Sequence, residues 1–478
     1  MADPRSRPAR NRRPDGSRSG GRPPRPRTKA DPPRAAALEV LRAVAEQDSY
    51  ANLLLPSRLS AHGLEGRDAA FATELVSGTL RRRGTYDAVI AACARRPVTK
   101  LQPAVLDVLR LGAHQLLAMR VPSHAAVSTS VDLVRTTVGQ GPVGLVNAVL
   151  RRIAEQPLDA WVRAVAPDPA LDPRGFAAVA HAHPRWAVDA FAEALGSRSA
   201  ELETLLAKDN DPPRVTLVAR PGLAEPEELL TDGAEPAPYS PWGAVLAGGD
   251  PGPVPAVQEG RAGVQDEGSQ LVALALSRAE VEGPDAQWLD LCAGPGGKAA
   301  YLASVAAGRK AHLLAVERQP HRAGLVASAT RAVPAGAVDV VTADGTVPAW
   351  RDEAFDRVLV DAPCSGLGAL RRRPEARWRR RAEDLGGLVE LQDRLVRAAL
   401  DAVRPGGVVL YATCSPVLAE TASVVERLLA ERPDVELEDT AALLPEVPDA
   451  AGPLPRTVQL WPHRHGTDAM FLALLRRR

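Results

Sequence analysis

Apolar residues recur every three or four positions through the first third of the chain, as in helices that bury one face. A clear stripe in the stretch 101–120 consists of Leu106, Leu109, Ala113, Leu116 and Leu117. Similar stripes run through residues 36–47, 67–82, 84–94, 124–137 and 143–154. Pro103 suits the first turn of its helix, and Ser123 is the predicted N-cap of the next one. The pattern predicts an all-helical domain over residues 35–157.

Residues 158–262 carry a weaker pattern. A helical stretch around "HPRWAVDAFAEAL" precedes a double proline, after which Val215, Leu217 and Val218 indicate a strand. The remainder is rich in proline and glycine, with one short predicted helix near 224–231. We expect a small α+β module that links two larger domains.

From residue 263 onward, apolar runs of strand length alternate with helical segments. The runs are "QWLDLC", "HLLAVE", "VDVVTAD", "RVLVDAP" and "VVLYATC". Continuous apolar runs are typical of parallel strands covered on both faces, so residues 263–478 are predicted to form a Rossmann-like α/β domain. Ligands of such sheets bind beyond the carboxyl ends of the strands. The five runs end at or close to Cys292, Glu317, Asp344, Asp361 and Cys414.

Composition adds an uneven distribution of charge. The 478 residues have a net charge of +1, but residues 1–34 hold 11 Arg or Lys against three Asp. Such a segment, with almost no apolar residue, is predicted to be a disordered basic tail. It would serve either as a sequence-independent tether for phosphates or as a dispensable solubilising tail.

The cysteines and the apolar segments indicate the cellular compartment of the protein. The four cysteines are widely spaced and form no CxxC pair, which favours a reducing compartment and gives no indication of a metal site. No apolar run reaches the length of a membrane span, and the basic N-terminus lacks the apolar core of a signal peptide. We therefore predict a cytoplasmic protein that binds neither membrane nor metal. The sequence does not define the oligomeric state, although a monomer is favoured.

A glycine-rich turn between the first strand and its helix is the predicted cofactor site. Glycine allows a sharp turn and a close approach by a ligand, which the amides of the helix N-terminus then face. The turn comprises Cys292, Ala293, Gly294, Pro295, Gly296, Gly297 and Lys298. Glu317 is placed to bind the hydroxyls of a ribose, and Asp344 the amine edge of an adenine. A structural turn is the alternative, and the pattern alone does not separate a nicotinamide cofactor from S-adenosylmethionine.

Two thiols at strand ends favour S-adenosylmethionine. Cys364 and Cys414 follow the fourth and fifth predicted strands, and a hydride-transfer enzyme needs neither thiol. Methylation of carbon 5 of cytosine does need one, because a thiolate must first add to carbon 6 to make carbon 5 nucleophilic. Asp361 is placed to bind the edge of the base and to stabilise the charge that develops on its ring. Chemistry alone does not decide which thiol adds.

An arginine-rich segment just after Cys364 is the predicted RNA contact. Guanidinium groups suit phosphates, and a tryptophan can stack on a base. The residues predicted to contact RNA are Arg371, Arg372, Arg373, Arg377 and Trp378. The alternative is a solvated helix face. A target base would have to be unpaired or flipped.

These features resemble the bacterial rRNA cytosine-5 methyltransferases of the RsmB (Sun/Fmu) type. The motifs that carry the resemblance are "QDEGSQ" (265–270), "CAGPGGK" (292–298), "DAPCSG" (361–366), "RRRPEARW" (371–378), "TCSP" (413–416) and "TDAMF" (467–471). The helical segment is similar to the NusB-type RNA-binding domain of this subfamily. The resemblance covers nearly the whole chain apart from the basic tail.

The resemblance implies a role for each matching residue. Cys414 is the nucleophile and Cys364 assists product release, while residues 292–298, Glu317, Asp344 and Asp361 bind S-adenosylmethionine. The chain departs from the family at "AETASVV" (419–425), where only Glu420 remains of the usual acidic pair, and at Ala469–Met470. The implied substrate is small-subunit (16S) rRNA. A tRNA cytosine-5 methyltransferase and a non-catalytic NusB-like RNA-binding or assembly factor are the alternatives.

Overall fold

The computed structural model describes residues 30–47, 50–231 and 233–478. Most of the predicted basic tail therefore lies outside the described residues. The first part of the chain is helical throughout. Its helices are α1 Pro32–Glu46, α2 Ala51–Ala61, α3 Gly66–Arg81, α4 Arg83–Ala94, α5 Pro103–Leu117, α6 Ser123–Thr137 and α7 Val143–Ile153.

The predicted apolar stripes form one core among these helices. Leu109 of α5, Leu75 of α3 and Leu150 of α7 are completely buried there. The sequence pattern missed α2, because Pro56 lies inside this helix and its apolar residues form no single stripe. Ser123 is the first residue of α6 rather than its N-cap, which is Pro122.

The start of α1 corrects the predicted end of the tail. Asp31 caps the helix by accepting a hydrogen bond from the backbone N–H of Arg34. Arg34 is buried and donates from Nε to Oε1 of Gln115 at 2.8 Å. The prediction that the chain is disordered as far as residue 34 is therefore wrong for residues 31–34.

The middle part combines short helices with a small sheet. The helices are α8 Leu158–Val165, α9 Pro173–Ala180, α10 Arg185–Leu195, α11 Leu202–Lys208 and α12 Pro255–Gln258. The strands are β1 Thr216–Ala219, β2 Glu235–Pro236, β3 Gly243–Val245 and β4 Ala262–Val264. They pair antiparallel in the order β2-β3-β1-β4. The predicted strand at Leu217 is confirmed as β1, one of the two inner strands of this sheet.

The last part of the chain forms an eight-stranded sheet. Its strands are β5 Gln287–Asp290, β6 His312–Glu317, β7 Val338–Thr342, β8 Phe355–Asp361, β9 Val403–Thr413, β10 Val435–Leu437, β11 Val458–Gln459 and β12 Phe471–Arg477. The order is β10-β12-β9-β8-β5-β6-β7, and β11 also pairs with β12. The helices are α13 Glu267–Arg278, α14 Gly297–Gly308, α15 Pro320–Ala329, α16 Ala376–Arg379, α17 Leu385–Ala402, α18 Ala422–Glu431 and α19 Pro462–His465.

The five predicted strands are confirmed as a parallel array, covered on both faces. Leu274 of α13 and Leu302 of α14 belong to the core on one face. Leu395 of α17 and Val425 of α18 belong to the core on the other face. The Rossmann-like architecture is therefore confirmed, with an antiparallel extension through β10–β12 that the sequence pattern did not reveal.

No helix in the described ranges is long and apolar enough to cross a membrane. The described ranges also contain no cluster of three or more His, Cys, Asp or Glu side chains arranged to hold a metal ion.

Candidate active site

The sheet brings the carboxyl ends of three neighbouring strands together. β5 pairs with β8, with Asp290 opposite Leu359, and β8 pairs with β9, with Asp361 opposite Ala412. The residues that follow these strand ends share one edge of the sheet. The segments holding Cys292, Cys364 and Cys414 thus meet where a doubly wound sheet binds its ligands.

Cys364 and Cys414 are in direct contact, with their sulfur atoms 3.4 Å apart. The hydrogen bond with the Cys364 thiol lowers the pKa of Cys414, against the effects of burial and of the Asp361 charge and with help from the charges of Lys298 and Arg373. The same hydrogen bond, together with burial, raises the pKa of Cys364 well above its ordinary value. The two thiols therefore differ in the direction of their pKa shifts, although their contact is symmetric.

A partly buried ion pair lies beside the thiols. Nζ of Lys298 is 2.7 Å from Oδ2 of Asp361 and 3.4 Å from Oγ of Ser269. Burial opposes the charged form of Lys298, but Asp361 outweighs it and raises the pKa of the lysine. The pair therefore fixes the Asp361 carboxylate at the end of β8, with one oxygen directed at Lys298.

The glycine-rich turn lies against the carboxylate at the end of β6. The backbone N–H of Gly294 donates to Oε2 of Glu317 at 3.1 Å. A Cβ at Gly294 would collide with this carboxylate, and Gly296 adopts a φ of +113°, which favours glycine. The turn then leads into α14. Both glycines are therefore required by the local geometry.

The other predicted cofactor residues differ in their exposure. The Asp344 side chain is 39% exposed and accepts hydrogen bonds from the backbone and hydroxyl of Thr346, which lower its pKa. Burial raises the pKa of Cys292 well above its ordinary value, so this thiol stays neutral. Cys292 is therefore suited to a backbone or packing contact rather than to nucleophilic chemistry.

Sequence reasoning missed Asp290, the last residue of β5. It is buried, and burial together with the Asp361 charge raises its pKa to about 7. Its Oδ1 accepts from the backbone N–H of Cys292 at 3.3 Å, which supports the start of the glycine-rich turn. A carboxylate within the otherwise apolar run "QWLDLC" was the available signal.

The arginine-rich segment is largely occupied by contacts within the protein. Arg377 is 0% exposed and donates to the carbonyls of Arg81, Ala182 and Asp209 and to Oδ1 of Asn210. Arg371 is also buried and donates to the carbonyl of Gly466. The prediction that these two arginines contact RNA is wrong, because their guanidinium groups are enclosed.

The remaining residues of the segment are more accessible. Arg372 pairs with Asp266 and, at 3.3 Å, with Asp468, so it joins two motifs that lie far apart in the sequence. Trp378 packs its indole over Gly84 of α4. Arg373 is exposed and lies 5.2 Å from the ring of Tyr50. RNA contact by Arg372, Arg373 and Trp378 stays a prediction.

The motifs around 266 and 468 brace the thiol loops. The backbone N–H of Asp468 donates to Asp266, and that of Ala469 donates to the carbonyl of Gly368. The N–H of Gly368 in turn donates to the carbonyl of Cys414 at 2.9 Å. A Cβ at Gly368 would collide with the Ala469 carbonyl, so glycine is required there. These two motifs therefore hold in place the loops that carry Cys364 and Cys414.

Comparison with known proteins agrees with this architecture. Residues 31–155 match the model of the NusB family, and residues 275–476 match the model of the 16S rRNA methyltransferases RsmB/F. A methyltransferase of Mycobacterium tuberculosis is 54% identical over 94% of this chain and 97% of its own length. Ribosomal RNA small subunit methyltransferase B of Pseudomonas putida is 31% identical over 93% of this chain and 98% of its own length. Comparison with the crystal structure of PH0851 gives a TM-score of 0.77 and 23% sequence identity. The aligned region covers 94% of this chain and 100% of the PH0851 chain.

The fold and these matches define a Rossmann-like methyltransferase with an N-terminal NusB-type helical domain. More narrowly, the chain belongs to the RsmB/F family of S-adenosylmethionine-dependent RNA methyltransferases.

Proposed function

We propose that this protein methylates carbon 5 of a cytosine in small-subunit (16S) rRNA through a covalent adduct with Cys414. The observation that carries the proposal is the contact of the two thiols, 3.4 Å apart, beside the Lys298–Asp361 ion pair. Methylation of a ring carbon needs a thiolate nucleophile. Methylation of an amine or hydroxyl group needs none.

The residues at the strand ends fit S-adenosylmethionine. The absence of a side chain at Gly294 lets the turn from Cys292 to Lys298 pack directly against the Glu317 carboxylate, which accepts from the Gly294 N–H. Glu317 suits the ribose hydroxyls, Asp344 the adenine edge, and Asp361 a position between cofactor and base. When bound there, S-adenosylmethionine supplies a methyl group carried on a positively charged sulfur.

Side chains of this protein carry out the remaining steps of the reaction. The Cys414 thiolate adds to carbon 6 of the cytosine, which makes carbon 5 nucleophilic. Asp361, held by Lys298, accepts a hydrogen bond from the amine edge of the base, and the positive charge of Lys298 offsets the negative charge that addition creates on the ring. After methyl transfer, the carbon 5 proton passes to water and the bond between carbon 6 and the Cys414 sulfur breaks, which restores the double bond of the ring. The Cys364 thiol assists by donating a hydrogen bond to the departing thiolate.

The domain arrangement favours rRNA as the substrate. Relatives named for methylation of small-subunit rRNA align over almost their whole length, including the NusB-type part. We assign RNA binding to residues 35–157, linkage to residues 158–262 and methyl transfer to residues 263–478. A tRNA substrate and a non-catalytic assembly role are the alternatives that the experiment must separate.

Bisulfite sequencing of RNA from cells with and without the protein tests this proposal. We expect one cytosine of 16S rRNA to lose its protection when the gene is deleted and to regain it with the wild-type gene. Complementation with Cys414→Ala should not restore protection. Loss of protection in tRNA alone would replace the rRNA assignment. Unchanged protection in both RNAs would contradict the proposed activity.

A further inference from the structure

The side chain of Glu420 lies beneath both thiol loops. It is 0% exposed and belongs to the turn before α18. Its Oε1 accepts from the backbone N–H of Ser365 at 2.7 Å, and its Oε2 accepts from Oγ of Ser415 at 2.7 Å. Ser365 directly follows Cys364, and Ser415 directly follows Cys414. Each carboxylate oxygen is thus bonded to the neighbour of one thiol.

Further buried contacts fix this carboxylate. Nε2 of Gln392 donates to Oε1 of Glu420 at 3.1 Å and to the carbonyl of Pro363 at 2.9 Å. The Tyr411 hydroxyl donates to the Glu420 backbone carbonyl at 2.7 Å. The three donors to the carboxylate are neutral, and each hydrogen bond to a buried charge is strong. The side chain is therefore held between α17 and the two loops, while β9 holds the Glu420 backbone.

The position of this carboxylate bears on the relation between the thiols. The two serine hydroxyls are also 3.0 Å apart, so the loops are tied together directly below the sulfur atoms. The pKa of Cys364 is raised first by its hydrogen bond with Cys414 and by burial. The charges of Cys414 and Glu420 raise it further. Glu420 thus supports both the spacing of the thiols and the protonated state of Cys364.

We infer that Glu420 is a positioning residue that holds Cys364 within reach of Cys414 by binding the residue next to each thiol with one carboxylate oxygen. It touches neither base nor cofactor and acts through the two loops. Its effect on product release rests on the proposed function, whereas its effect on thiol geometry does not.

The spacing of the thiols can be tested without substrate. Diamide accepts two electrons and two protons from a pair of thiols as their sulfur atoms join, and intact mass with peptide mapping reports the Cys364–Cys414 disulfide. We expect Glu420→Ala to slow this disulfide formation about tenfold, because the loops lose their common anchor. Glu420→Gln should slow it less, since its amide retains one acceptor and the Ser415 hydroxyl can turn to accept from the other atom.

A matched control is Glu426→Ala, which removes an exposed carboxylate from α18 and should leave the rate unchanged. A Glu420→Ala protein with the wild-type melting transition and the wild-type rate of disulfide formation would overturn the inference. If Glu420→Ala does not fold, Ser415→Ala removes one arm of the same arrangement. A wild-type rate in that variant would overturn it equally.

The reaction itself provides the second test. We expect Glu420→Ala to raise the fraction of enzyme held as a denaturation-resistant RNA adduct at steady state, because release needs Cys364 in place and addition needs only Cys414. A merely structural loss would lower addition and release in the same proportion, and that result would contradict a positioning role. If neither the wild type nor Cys364→Ala forms an adduct, the proposed function fails, while the diamide rates still decide the role of Glu420.

Discussion

Two cysteines in contact differ in acidity, because the pKa of Cys414 is lowered and that of Cys364 is raised. The Cys364 thiol stabilises a thiolate on Cys414, and Lys298 adds a positive charge nearby. The burial that makes most free thiols inert is thus offset at Cys414 alone. From the sequence, either thiol was a possible nucleophile, and only the resemblance favoured Cys414. The contact of the two sulfur atoms is symmetric, and the lowered pKa of Cys414 is the observation that agrees with this choice.

This inequality predicts a pH dependence for thiol modification. The pKa of Cys414 is lowered, so its thiolate persists to a lower pH than it would without its neighbours. Pulse alkylation with iodoacetamide over a pH series, read by mass spectrometry of the Cys414 peptide, measures the midpoint of this titration.

Replacement of Cys364 should move this midpoint upward. Cys364→Ala removes the hydrogen bond that favours the thiolate, while burial still opposes it. Cys93 is the internal control. It is a buried thiol of α4 whose pKa is raised to about 11, so it should react slowly in both proteins. An unchanged Cys414 midpoint in the variant would show that Cys364 does not activate Cys414.

At the scale of secondary-structure elements, long regular hydrophobic patterns could be recognised in the sequence. Pairing between segments that lie far apart in the chain could not. The stripes of α5 and the apolar run of β8 predict their own structure. The antiparallel strand β12 became visible only through its pairing with β9. Two residues of the arginine run were misjudged because acceptors such as the carbonyls of residues 81, 182 and 209 lie at or just after the ends of helices distant in sequence. Burial of a charged run depends on such partners, which sequence spacing does not show.

The enclosed guanidinium of Arg377 predicts a specific loss of stability. Arg377→Ala would leave several buried acceptors without a donor, and we expect the free energy of unfolding to fall by about 3 kcal/mol. Thermal or denaturant unfolding, followed by circular dichroism, measures this change. Arg380→Ala removes an exposed arginine three residues further on and should alter stability by less than about 0.5 kcal/mol. Equal stability of the two variants would contradict the structural role of Arg377.

At the scale of the whole molecule, the arginine-rich segment connects the helical part to the methyltransferase part. The N–H of Ala51 in α2 donates to the buried Glu375 carboxylate at 3.1 Å, and Trp378 packs on α4. The segment therefore connects the loop after Cys364 to the NusB-type helices. The sequence identified both parts, but their contact depends on side chains that reading for motifs had assigned to RNA.

The basic tail offers a prediction at this scale. If residues 1–29 tether RNA, a chain beginning at Ala30, which keeps the Asp31 cap of α1, should bind RNA more weakly at low salt. The slope of log K against log salt should become shallower by about 0.7 for each lost contact with single-stranded RNA. A Gly/Ser tail of equal length is the control. Equal affinity and slope for the full-length and shortened chains would favour a dispensable solubilising tail.

The central claim is that Cys414 adds to cytosine and Cys364 releases the product. It is tested most directly by incubating the wild type, Cys364→Ala and Cys414→Ala with 16S rRNA and S-adenosylmethionine and separating the products on a denaturing gel. We predict a stable protein–RNA adduct for Cys364→Ala, and neither adduct nor methylated product for Cys414→Ala. An adduct formed by Cys414→Ala and absent from Cys364→Ala would contradict the assignment.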